Sequence, residues 1–239
     1  MKDYTWSETL MKIEKANSLD ELFALWKHAH AIEENYEATT TAGLEKVSFI
    51  ADGYIFEESY DGVLFVLKEV NQLGYSGAKD PSERTHITWY QEFLNKGKNV
   101  NQSKQHEKMG RMACYILDKN ESPSKEEINA GLSRAAFINL NKRGGDSVAK
   151  KVEPYATKYR EFIKKQISLL NPDVIVCLGT FEQVKRVVDT KDKRVIDMWH
   201  PAYRMPGLKR DPQCKMDKNV DLYMREFIKR FEKLKTHLL

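Results

Sequence analysis

The stretch Leu170-Asn171-Pro172-Asp173-Val174-Ile175-Val176-Cys177-Leu178-Gly179-Thr180 leaves this chain few folds to choose from. Asn-Pro ends one element and Gly ends the next. Between them lies a continuous apolar, β-branched run. Such a run fits a strand buried on both faces, and that strand needs cover on two sides. Two upstream segments share the design: Val63-Leu64-Phe65-Val66-Leu67-Lys68-Glu69-Val70-Asn71 and Ala136-Phe137-Ile138-Asn139-Leu140-Asn141. Each is an apolar run that ends in polar residues. A fourth strand is expected over Arg194 to Met198, just before Trp199-His200-Pro201-Ala202-Tyr203-Arg204-Met205.

Helical patterns separate these runs. Leu10 and Ile13, then Leu22, Phe23, Leu25 and Trp26, predict two N-terminal helices, and Ser18 with Glu21 has capping-box spacing. Residues 46–57 read as extended, with a turn at Asp52-Gly53. A helix is expected from Lys108 to Leu117, and Pro123 with Lys125-Glu126-Glu127 opens a short one. Residues 72–104 carry little pattern beyond a helix around Trp89 to Leu94. Tyr155, Tyr159, Phe162, Ile163, Ile167 and Leu170 predict one long amphipathic helix, by their 3- and 4-residue spacing. Thr180 and Gln183 have capping-box spacing for the next. Val220, Tyr223, Met224, Phe227, Ile228, Phe231 and Leu234 stripe a closing helix. Strands alternating with helices imply an α/β fold: a three-layer α/β/α sandwich around a central, mostly parallel four-stranded sheet. At 239 residues, one domain is expected. Residues 62–205 would bear the motifs, and 1–60 would be an N-terminal helical and extended decoration.

Composition narrows the function classes. No apolar run is long enough to span a bilayer, and the first residues lack a signal-peptide pattern. Cys114, Cys177 and Cys214 are scattered, with neither metal-ligand spacing nor an even disulfide set. A reduced, cytoplasmic protein is expected. The net charge of +4 hides an asymmetry: residues 1–60 carry a net −7, and the remainder +11. The basic excess falls partly on Lys142, Arg143, Lys150 and Lys151, then on Arg204, Lys209, Arg210, Lys215 and Lys218. A polyanionic partner would favour that placement, and a plain solvated surface accounts for it equally well.

The ordered motifs resemble the uracil-DNA glycosylase superfamily, over about residues 62–205. Members have a first strand ending in a Gly-x-Asp-Pro-like or Gly-Glu-Ala-Pro-like loop, and a second ending in Asn. A Pro-x-Val-Ile-x-x-Leu-Gly strand and a His-Pro-Ser or His-Pro-Ala loop follow. This chain offers Leu67-Lys68-Glu69-Val70-Asn71, Phe137-Ile138-Asn139, Pro172 to Gly179, and His200-Pro201-Ala202-Tyr203. In its first loop Leu67 stands where the family has Gly, and Val70 where it has Pro. The resemblance implies a glycosylase-like fold and base excision from DNA, with water as nucleophile, in a monomer. Glu69 would stabilise the sugar cation or orient water. His200 would donate to O2 of the departing base. Asn139 would read the edge of a base flipped from the duplex, and Asn71 would line its C5 side. Tyr203, Arg204 or Met205 would fill the gap in the stack, while Lys142, Arg143, Lys209 and Arg210 would face phosphates. No metal or other cofactor is implied, and three scattered cysteines do not suit the four-cysteine iron–sulfur cluster of related branches.

Taken singly, these residues have ordinary readings too. Glu69 suits a surface carboxylate beside Lys68, Asn139 a turn or cap residue, and Tyr203 simple packing. Asn71 is small and polar where uracil-specific members place an aromatic ring against C5, so a C5-modified cytosine, as in some phage DNA, becomes a target in anti-phage defence. The alternatives are a repair glycosylase for uracil or another deaminated base, a catalytically inactive DNA-binding protein of the same fold, and a small-molecule α/β enzyme with a strand-end His–Glu pair.

Overall fold

The structure is a computed structural model that describes residues 6–31, 49–68, 104–143, 152–189, 193–203 and 216–235. Its strands are β1 (Gly53–Tyr54), β2 (Val63–Leu67), β3 (Ala135–Asn139), β4 (Val174–Leu178) and β5 (Arg194–Met198). Its helices are α1 (Trp6–Ile13), α2 (Leu19–Ala31), α3 (Lys104–Asp118), α4 (Lys125–Ser133), α5 (Val152–Lys158), α6 (Arg160–Leu170), α7 (Phe181–Val187) and α8 (Met216–Lys235). The strand order is β1-β3-β2-β4-β5. β2 runs parallel to both β3 and β4, and β4 parallel to β5. β1 pairs antiparallel with β3. The sheet is therefore mixed, with one strand more than expected.

Every residue of β2, β3 and β4 is buried, as their unbroken apolar runs predict. Alternate residues serve opposite faces. Leu64, Val66, Ile138, Ile175 and Cys177 join a cluster with residues of α2, α5, α6 and α7. Phe65, Leu67, Phe137, Val176 and Leu178 join another with residues of α3, α4 and α8. Helices thus pack on both faces, and each large side chain moved from water is worth about 1.5–3 kcal/mol.

Local chemistry sets most of the boundaries. Ser124 and Glu127 form a reciprocal capping box at α4. Asn171 ends α6 in the left-handed conformation, its N–H returning to Ile167 O, and Pro172 cannot continue a helix. Three local expectations fail. Gly53, expected in a turn with Asp52, instead opens β1. The long amphipathic helix is broken at Tyr159, giving α5 and α6. Thr180 caps nothing with its side chain: its hydroxyl donates to Val66 O at 2.9 Å, and Gln183 donates to Glu153. The segment around Trp89 lies outside the described residues.

His30 sits among aromatic rings, 2.7 Å from the Tyr155 hydroxyl and edge-on to Tyr159. Burial, then the charges of Arg143 and Lys158, lower its pKa from 6.5 to about 2. The unfolded chain therefore binds the extra proton below pH 6.5, whereas the folded imidazole stays neutral. Stability is full above pH 6.5 and falls as the pH drops from 6.5 toward 2, by up to about 1.4 kcal/mol per unit. Urea midpoints at pH 6.5 and 5.5 should show a steeper loss in the wild type than in His30→Gln. Equal losses would remove His30 as the cause.

Candidate functional site

Parallel strands on both sides of β2 create a switch point. The chain leaves β2 for β3 on one side, then crosses to β4 on the other. Open α/β sheets form their ligand crevice at the strand C-termini beside such a point. Here that edge carries Lys68 after β2, Gly179 after β4 and His200 after β5. Gly179 adopts φ +74°, where a side chain would be strained. A Cβ placed there would lie 3.4 Å from Lys68 Cε and 3.7 Å from His200 Cβ, so both side chains flank this one glycine.

The Ala202 N–H donates to His200 Nδ1 at 3.2 Å. Nδ1 is therefore the acceptor, and a neutral ring carries its proton on Nε2. Desolvation first, then the charges of Lys68 and Lys108, push the pKa of His200 down. The result is a neutral imidazole with an Nε2–H donor.

The loop that carries it is tied down from behind. Lys108, on α3, is only 2% exposed. Its ammonium donates to Pro201 O at 2.8 Å, Tyr203 O at 3.1 Å and Asn219 Oδ1 at 3.3 Å. It also lies 4.5 Å from the centre of the Tyr223 ring. The Tyr223 hydroxyl donates to Trp199 O. Trp199 stacks on Tyr203 at 5.5 Å and takes the Arg230 guanidinium on its ring at 4.6 Å. Tyr203 thus packs within its own loop. Nothing local in the sequence marks Lys108, which reads as an ordinary helix-surface lysine until the tertiary fold buries it.

Asn139 ends β3 and is 1% exposed. Its backbone N–H and its side-chain Nδ2 both donate to Asp52 Oδ2, at 2.7 and 3.2 Å. The other Asp52 oxygen accepts from Gln166 Nε2 at 2.9 Å and from the Lys142 ammonium. Asn139 is thus held by a buried carboxylate.

The phosphate-facing assignment of Lys142 and Arg143 is corrected. Lys142 is fully enclosed, ion-paired with Asp52 and 5.2 Å from the centre of the Trp26 ring. Arg143 is only 2% exposed. Neither presents its charge to a polyanion. Their loop folds inward because Asp52, a buried carboxylate, requires a cation. Glu69, Asn71, Arg204, Met205, Lys209 and Arg210 lie outside the described residues.

Among the described residues, no group of three or more His, Cys, Asp or Glu side chains is arranged to hold a metal ion. Among the same residues no helix is long and apolar enough to cross a membrane. No protein-family model matches the chain, and no curated protein gives a significant match.

Proposed function

We propose that the chain is a DNA glycosylase with a uracil-DNA glycosylase-like sandwich fold, which flips a base from DNA and hydrolyses its N-glycosidic bond. One observation carries the reading: a neutral, half-buried His200 offers Nε2–H at the switch point of a parallel sheet, on a loop fixed by Lys108 and Tyr223. Breaking the bond heterolytically leaves both electrons on the base, with negative charge reaching its carbonyl oxygen. A preorganised donor that costs no reorganisation lowers that barrier. The motif order supports the same assignment, with Glu69 as the carboxylate for the sugar cation and Asn71 beside C5. Water supplies the nucleophile, and an abasic site remains. The proposed substrate is a C5-modified cytosine of phage DNA.

The test is incubation of the purified protein with duplexes carrying uracil, thymine mismatches, deaminated purines, and hydroxymethylated or glucosylated cytosine. Alkali-labile sites are scored afterwards. Cleavage confined to modified cytosine is the expected result, and cleavage at uracil or a deaminated base would make the role repair. Binding of DNA without cleavage of any duplex would leave a binding protein. Absence of any salt-dependent DNA affinity would overturn the reading in favour of a small-molecule enzyme.

A further inference from the structure

We propose that Lys68 is a second catalytic residue, whose ammonium stabilises the departing base anion together with His200. The inference rests on the glycosylase reading and adds a group that the motif resemblance does not assign.

Three lysines lie near this end of the sheet, and their partners differ. The Lys108 ammonium is committed to three protein oxygens. That of Lys142 is committed to Asp52. Lys68 makes no ion pair or side-chain hydrogen bond with any described residue. It is half-buried, where a nearby anion would stabilise its charge. An anion formed during the reaction would do so.

Its placement agrees. Lys68 directly follows the central strand, and its carbonyl accepts the Asn141 N–H at 2.9 Å, so the backbone there is held in register. The side chain runs along Gly179, where the missing Cβ leaves the Lys68 stem and His200 facing the same space. Lys68 also acts on the imidazole, being one of the two charges that lower its pKa, with Lys108 on α3 as the other. A cation close enough to disfavour imidazolium is close enough to favour negative charge beside Nε2–H.

The step balances without further reagents. The C1′–N bond breaks and its electron pair goes to the base. The oxygen of water bonds to C1′ and loses a proton to the carboxylate. The base anion then takes a proton from solvent. Lys68 transfers nothing and acts by its charge.

Lys68→Met, Lys68→Gln and Lys68→Arg are compared with the wild type on whichever duplex it cleaves in the panel above. Single-turnover rates at saturating enzyme should fall by about 10²–10³ in the Met and Gln variants and recover in part with Arg. DNA affinity and its salt slope should stay as in the wild type. An unchanged saturating rate with a salt slope smaller by about one would instead make Lys68 a phosphate contact, and the proposal would fall. A second measurement needs no substrate: the NMR titration of His200 in the free protein. In Lys68→Met its pKa should rise, while Lys68→Arg should hold it down. An unchanged titration in Lys68→Met overturns the placement of the ammonium even if no base is ever released. Failure of the wild type to cleave any duplex would count against the glycosylase reading, not against this placement.

Discussion

His200→Ala is expected to bind its DNA substrate as tightly as the wild type and to release the base about 10²–10³ times more slowly. In the proposed mechanism the neutral ring donates from Nε2 to charge that develops on the base, so its removal would raise the transition state and spare the bound ground state. The fold should tolerate the change. His200 sits on a loop whose position comes from Lys108 bonding to Pro201 O and Tyr203 O, and from Tyr223 bonding to Trp199 O. None of these contacts uses the imidazole. The deciding measurement is a single-turnover time course beside a binding isotherm on the same oligonucleotide. Parallel loss of rate and affinity would mean that His200 positions DNA and does not act on the leaving base.

Asp52→Ala is expected to lower folding stability by about 3–5 kcal/mol, the usual cost of leaving a buried charge without its counterion. The substitution strands the Lys142 ammonium inside the protein, with the Asn139 and Gln166 amides beside it. Lys142→Met in the Asp52→Ala background removes the orphan charge and should recover a large share of the loss. Denaturant midpoints for the two single variants and the double variant complete the cycle. If Asp52→Ala costs under 1 kcal/mol, the carboxylate does not hold this end of β3 together.

The parts of the fold that could be read in advance carry their reason locally. β2, β4 and β5 follow from apolar runs bounded by polar residues, Pro or Gly, and α4 follows from Pro123 and the acidic first turn at Glu126 and Glu127. Residues 46–57 read as extended with a turn at Asp52-Gly53, but Gly53 and Tyr54 form a strand because β3 offers them partners. The sequence pattern does not break at Tyr159, since that residue belongs to the apolar stripe on either side of it. Thr180 has the spacing of a cap, but Val66 O, 114 positions away, competes successfully for its hydroxyl. The candidate site divides in the same way. His200-Pro201-Ala202 stands out at once, because a strand-end imidazole before Pro is a short, local signal. The burial of Lys142 is invisible locally, because Asp52 lies 90 positions earlier. A lysine after a strand looks solvated until the fold supplies a buried anion.

The ties behind His200 also bear on how the protein is made. Lys108 reaches Pro201 across 93 positions, and Tyr223 reaches Trp199 from the last described helix. The central strand β2 gains its β4 partner only after more than a hundred residues have followed it. Contacts of such long sequence separation slow folding, because loop closure precedes its reward. On a ribosome, chain segments emerge in order. The first four strands can therefore pair while α8 is still being synthesised, but Trp199 and Lys108 then lack Tyr223 and Asn219. The ties through Tyr223 and Asn219 form only when α8 docks, so a nascent chain can hold most of its sheet before the loop that carries His200 is fully fixed.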